Sequence, residues 1–380
     1  MPATDETHAS EDLAEAARLM TVCNSCRYCE GLCAVFPAME MRRAFADADL
    51  NYLANLCHNC GACYDDCQFA PPHEFDVDVP RTLAKLRAKS YETHAWPQAL
   101  SGMYTRNGLK VGIVSVLGVA LFVLGFSAAN DPAALFGRHQ GQGAFYELMP
   151  HGAMALLFGA AFLYAVLALA KSVGGFWRDT GSATPMRLAA GSLWQALEDV
   201  CRLRYLEGGG VGCMNEEDRP TDRRALYHHL AFYGFLLCFA ATCVATLEHY
   251  LLGREAPYPW YDLPVLLGTI GGIGLLIGPA GLLVAKWKRD PVLADAERFG
   301  MDAAFIATLF MTSLTGLALL AWRDSPAMGP LLALHLGVVL ALFLTMPYGK
   351  FVHGIYRFAA LVRYAQERRG LGKASGEGEA

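Results

Sequence analysis

This 380-residue chain lacks an excess of positive charge, a dinucleotide fingerprint and a recognisable catalytic nucleophile. Residues 1–22 are polar and acidic with no apolar core, so no secretory signal peptide is expected. A net charge of −5 gives no reason to expect nucleic acid as a partner. No G-x-G-x-x-G follows a candidate strand, and no nucleophile motif is evident. Those absences argue for organic chemistry carried by another subunit. Charge of either sign is scarce, at 18% of residues against 54% apolar, which is too apolar for an ordinary soluble domain.

What charge there is divides the chain. Residues 1–107 are charged and helix-flavoured: Ser10 is a plausible N-cap before "EDLAEAARLM", and "MEMRRAFADADLNYLANL" and "RTLAKLRAKSYETHAW" also predict helices around a Pro-rich stretch, "APPHEFDVDVP". From 108 to 355 six apolar runs follow, at 110–128, 152–170, 230–252, 263–285, 302–322 and 331–349. Each approaches the ~20 residues that a bilayer span requires. Lys and Arg number eight in 171–227, four in 286–300 and six in 350–380, but one each in 129–150, 250–262 and 323–330. The positive-inside rule then predicts a cytoplasmic N-terminus, 171–227 loop and 356–380 tail, in a multi-pass protein of the inner (cytoplasmic) membrane.

Cysteine is the residue in surplus. Twelve are present, and eight of them form two runs, "CNSCRYCEGLC" at 23–33 and "CHNCGACYDDC" at 57–67. Both read C-x2-C-x2-C-x3-C. In a reducing compartment clustered cysteines point to metal rather than disulfides. Zinc sites usually split four ligands into two separated pairs. Three closely spaced cysteines with a fourth three residues on is instead the bacterial ferredoxin run, whose last cysteine ligates the other cluster. The spacing therefore predicts one [4Fe–4S] cluster on Cys23, Cys26, Cys29 and Cys67, and another on Cys57, Cys60, Cys63 and Cys33. Proline does not directly follow either fourth cysteine, and the helical flanks point to an α-helical ferredoxin-like domain. His58 reads as a neighbour that tunes potential rather than a ligand. Cys201, Cys213, Cys238 and Cys243 lack cluster spacing, and "EGGGVGC" at 207–213 reads as a helix C-cap followed by a loop rather than a phosphate loop.

Histidines mark the ends of the spans. His335 and His353 lie 18 residues apart, five turns of one helix and ~27 Å. His228 and His249 fall about 60° apart around a helix, and His229 and His249 about 160°. Topology puts His228, His229 and His353 at the inner end, and His249 and His335 at the outer, with His151 a spare candidate. Imidazoles on facing helices are how a bundle holds a b-type haem. The expected pairs are His228 or His229 with His353, and His249 with His335, for one or two haems. The alternative is solvated interfacial histidines.

The segments "CNSCRYCEGLCAVFPAME", "YLANLCHNCGACYDDCQFAPPHEF", "HHLAFYGFLLCFAAT" and "MPYGKFVHGIYR" together resemble the tricarballylate (citrate) utilization protein B family over nearly the whole chain, in order. The module is also similar to the C-terminal half of a flavoprotein fusion of aerobic cobalamin synthesis. The last span resembles the haem-binding subunit of membrane nitrate reductases. The first resemblance implies a partner FAD-dependent dehydrogenase that converts tricarballylate to cis-aconitate, with this chain passing electrons to the membrane quinone pool as the electron-transfer subunit of an oxidoreductase. The expected fold is all-α: a cytoplasmic two-cluster domain followed by a six-helix transmembrane bundle. Competing readings are quinol oxidation or electron supply for another flavoprotein, and a non-catalytic redox sensor. The basic amphipathic segment 189–206 is a candidate cover for the inner haem, a docking element for the partner, or a plain surface helix.

Overall fold

The computed structural model describes residues 8–181, 189–206, 213–216, 219–289 and 299–376. Five helices build the cysteine-bearing region: α1 (Glu11–Cys26), α2 (Val35–Glu40), α3 (Asp47–Leu56), α4 (Ala62–Asp65) and α5 (Val79–His94). The start of α1 follows from its capping chemistry. Ser10 Oγ accepts from the Leu13 amide, and Glu11 and Asp12 complement the helix dipole in the first turn. It stops where Arg27 turns left-handed at φ 56°. Asp78 caps α5 in the same manner, with a proline in the first turn. Leu19, Met20, Met39, Leu50, Leu53 and Leu83 close the core between these helices.

The membrane part contains α6 (Leu109–Ala129), short α7 (Pro132–Leu135) and α8 (Ala144–Leu148), then α9 (His151–Asp179). Helix α10 (Ala190–Cys201) and a small hairpin, β1 (Cys213–Glu216) and β2 (Arg219–Thr221), lead to α11 (Arg223–Leu252). Then come α12 (Leu263–Trp287), α13 (Phe299–Trp322), α14 (Met328–Thr345) and α15 (Val352–Gly376). Among the described residues, six helices are long and apolar enough to cross a bilayer: α6, α9, α11, α12, α13 and α14, the last continued to Tyr348. Their outer faces carry exposed Leu117, Leu121, Leu163, Leu247 and Leu251. A face of that kind suits lipid and would be unstable in water. The protein is therefore a multi-pass membrane protein of all-α class, with the hairpin its small departure.

Between α11 and α12 the packing is most extensive. A Cβ on Gly278 would lie 2.5 Å from the Ala231 nitrogen and 2.8 Å from the Tyr227 carbonyl, and one on Gly271 would lie 2.8 Å from the Gly234 carbonyl. Small residues let membrane helices approach backbone to backbone. Gly278→Val is accordingly expected to cost ~1–3 kcal/mol or more through overpacking, measured as a lowered melting temperature in detergent. Gly112→Ala, with nothing within 4 Å of its added carbon, should leave that temperature unchanged.

The sequence predicts a separate tail at 356–380. The structure instead continues α15 to Gly376 and buries Tyr356, Ala360, Leu361 and Tyr364. Ala360, Leu361 and Tyr364 join the core of the cysteine region. Its Glu367 carboxylate accepts from Arg42 Nη2 at 2.6 Å, Arg363 Nε at 3.0 Å and Tyr52 Oη at 3.1 Å. Arg42 and Arg363 also hold Asp49. The last helix thus ties the cysteine region to the bundle. Helix α10 packs against α15, burying Ala196 while Trp194 and Leu193 stay exposed. The glycine-rich stretch 207–212 lies outside the described residues.

Candidate metal centres

Cys23 and Cys26 sit in the last turn of α1, and Cys29 and Cys33 in the turns that follow. Cys57 follows α3, whose reversal brings the second run back beside the first. Asn59 at φ 53° and Gly61 at φ 89° shape the loop before α4, positions suited to Asn and Gly. Two cavities result. Cys23, Cys26, Cys29 and Cys67 line the first, with Tyr28, Gln68, Phe69 and Val77. Cys33, Cys57, Cys60 and Cys63 line the second, with Leu32, His58, Asn59 and Tyr205. Phe36 borders both. Each cavity therefore takes three cysteines from one run and the last from the other.

The donor chemistry fits a multinuclear thiolate-bound group. Burial, then the neighbouring Cys29 and Cys67, pushes the Cys23 thiol up to about 12. Burial and then Cys67 raises Cys29 to about 12 as well. Cys33 and Cys63 are pushed up by burial and then by the cysteines of their own cavity. Such thiols become thiolates when a cation shares the cavity. Among the described residues no three His, Cys, Asp or Glu side chains gather as ligands of one ion. Thiolates that cap separate irons of a cubane have no need to converge on one point. The Cys57 Sγ also accepts the Asn59 amide at 3.3 Å.

His58 lies on the second cavity and its basicity is depressed, first by burial and then by Arg357, His228 and Arg224. It stands on the side of that cavity facing the bundle. There the His228 ring on α11 faces the His353 ring at the start of α15, with centroids 6.0 Å apart and planes at 75°. Imidazoles on opposite sides of one metal, with metal–nitrogen bonds of about 2.0–2.1 Å, have centroids roughly 6 Å apart. The Nδ1 of His353 points at the Lys350 carbonyl at 2.5 Å, which leaves Nε2 free as a ligand. Lys350 is itself anchored by Asp302 at 2.8 Å, which also binds Lys286 at 2.5 Å. His228 Nδ1 is buried without a hydrogen-bond partner. The pair fits a bis-imidazole haem.

The other histidines are placed differently from expectation. His229 Nδ1 donates to the Ala225 carbonyl, 3.1 Å away, and the ring stacks on Tyr233. His335 and His353 do not share one helix. The chain breaks at a 3-10 turn over Met346–Tyr348 and at extended Gly349, because Pro347 has no amide to continue the ladder. The expected pairing of His249 with His335 is replaced by other contacts. His249 stacks on His151, with centroids 3.6 Å apart and planes at 18°, flanked by Tyr146 and Tyr250. Two rings stacked face to face cannot present nitrogens to opposite sides of one iron. His335 Nδ1 lies 3.1 Å from Thr315 Oγ1, against Gly316.

Sequence reasoning missed the basic side chains around the second run. Arg87 Nη1 and Arg357 Nη2 both donate to the Cys57 carbonyl at 2.5 Å. Arg224 donates to the His58 carbonyl at 3.1 Å and the Asn59 carbonyl at 2.8 Å. Arg289 donates to the Asn59 carbonyl at 2.9 Å. No local motif announces them, since each comes from a different element.

Comparison with known proteins adds a family. Residues 103–374 match the family model described as "Citrate utilization protein B", and residues 16–93 match its "Citrate utilization protein B Fer4-like domain". A curated relative, Citrate utilization protein B of Escherichia coli, is 49% identical over 373 residues, covering 97% of this chain and 95% of the relative. No solved structure matches the chain.

Proposed function

The chain belongs to the Citrate utilization protein B family, and from that premise we propose that it carries electrons from a partner FAD-dependent dehydrogenase to the membrane quinone pool. The observation that carries this reading is the pair of cavities, each lined by four cysteines drawn three and one from the two runs. [4Fe–4S] clusters on these thiolates, and b-type haem between His228 and His353, would supply one-electron carriers that couple a two-electron flavin to a quinone. The protein's own task is to hold and space them. Phe36 borders both cavities. The loop Cys57–Asn59 brings the second cavity against the inner ends of α11 and α15. The Lys350 carbonyl fixes the tautomer of His353. The family name points to citrate or tricarballylate utilization, and the substrate we propose for the partner is tricarballylate, oxidised to cis-aconitate. The Lys and Arg distribution supports the cysteine region and both termini on the cytoplasmic side of the inner membrane.

A dithionite-reduced minus air-oxidised visible spectrum of the detergent-purified protein tests the cofactors. The expected result is a sharp b-type α-band over the broad bleach of iron–sulfur clusters. A flat difference spectrum from protein isolated with its iron retained would contradict the reading.

A further inference from the structure

We propose that Arg87, Arg224, Arg289 and Arg357 make the cavity of the buried Cys57 and Cys60 the preferred resting place of an electron, and so set the direction of transfer inward, from the cavity of Cys23, Cys26, Cys29 and Cys67 toward His228 and His353. This inference rests on the iron–sulfur reading above.

The argument begins with main-chain geometry. The carbonyls of Cys57, His58 and Asn59 are consecutive, and every one accepts from a guanidinium. The donors arrive from α5, the start of α11, the residues just after α12, and α15. None of the carbonyls needs a charged donor; water or an amide would satisfy it. Guanidinium does not lose its proton, so positive charge is fixed around one short loop; Arg289 also lies within electrostatic reach of Asp78. Among the described residues Arg87, Arg224 and Arg357 form no ion pair with a carboxylate, whereas Arg42 and Arg363 are bound by Asp49 and Glu367. The loop carries Cys57 at one end and leads into Cys60, both buried.

The first cavity has the opposite surroundings. The charged residues next in sequence to its cysteines, Arg27, Glu30, Asp65 and Asp66, are exposed and sum to −2, and Asp66 acts on the Cys29 thiol. Solvent and salt screen them. A centre that gains one electron gains one negative charge. Arg87 is buried and Arg224, Arg289 and Arg357 are half-buried, so these fixed cations stabilise that state, and exposed carboxylates do the reverse more weakly. Sign and screening therefore act together, and both favour the electron at the inner cavity.

A structural role alone, in which the arginines only latch the loop to the bundle, makes a different prediction about potentials. The test is an EPR-monitored redox titration of the full-length protein in detergent, for wild type, Arg224→Gln, Arg224→Lys and the double variant Arg224→Gln/Arg289→Gln. The expected result is two cluster components in the wild type. The higher midpoint moves down in Arg224→Gln, further down in the double variant, and returns toward wild type in Arg224→Lys, while the lower midpoint stays in place. Unchanged midpoints in Arg224→Gln, at wild-type iron content, would overturn this inference while leaving the iron–sulfur reading intact. A fall of both midpoints together would also overturn it. Absence of any cluster signal in iron-replete wild type would remove the underlying reading and this inference with it. If the double variant fails to retain iron, Arg224→Gln and Arg224→Lys decide the matter, because the other three arginines then still hold the loop.

Discussion

Cys60→Ser is expected to take iron from about eight to about four atoms per chain, since each [4Fe–4S] site carries four, and to bring quinone reduction to background. Cys60 is buried and lines the second cavity with Cys33, Cys57 and Cys63. Serine there offers a harder, less acidic oxygen to iron in a setting that already opposes ionisation of the cavity's thiols. Cys26→Ser should remove the other four atoms, because Cys26 lines the first cavity with Cys23, Cys29 and Cys67. In both variants the partner's flavin should still be reduced by its substrate, as that chemistry lies on another protein. Iron analysis, EPR and a quinone assay read the three quantities separately. Full quinone reduction in both variants would show that electrons bypass the cavities. Exchanging the groupings is a sharper check: Cys67→Ser should erase the same EPR component as Cys26→Ser, although Cys67 belongs to the second run.

His353→Ala should abolish the b-type α-band outright. Its imidazole faces His228 at the 6.0 Å separation that one iron between two rings requires, and its orientation is set by the Lys350 carbonyl. His228→Ala should have the same effect. The neighbouring histidines supply the contrast. His229 is committed to the Ala225 carbonyl and Tyr233, so His229→Ala should keep the band. His249→Ala should also keep it, because the stacked His151–His249 pair has the wrong geometry to bracket an iron. Visible spectra of the four variants at matched protein concentration check this. A band that survives His353→Ala and disappears in His249→Ala would move the haem to the opposite end of α11.

The features legible in the sequence were those written in short-range spacing or in bulk hydrophobicity. The six spans are visible because each needs only a run of apolar residues, and their observed limits differ from the expected ones mainly by extra turns at the ends, such as α11 beginning at Arg223 rather than near 230. The two cysteine runs are equally plain. The histidine geometry was not legible past the first helix break. Eighteen residues put His335 and His353 on one face only if the helix continues, and Pro347 and Gly349 end it. The contact of His151 with His249 joins residues 98 positions apart, and no periodicity within either helix encodes it. The arginines around Cys57–Asn59 were hidden for a further reason: they recognise main-chain carbonyls, which every sequence has. Nothing local in 356–380 tells a separate tail from a docked helix, because Arg363 and Glu367 find their partners Arg42 and Asp49 more than 300 residues away.

The most direct measurement of the central claim is quinol formation in proteoliposomes that hold the full-length protein and a membrane quinone, supplied from outside with the FAD dehydrogenase reduced by its substrate. The account predicts that the flavin reoxidises and quinol accumulates in step, one quinol per reduced flavin, and that liposomes without the protein do neither. Reduced flavin that persists beside untouched quinone, in liposomes whose clusters and haem are spectroscopically complete, would contradict it.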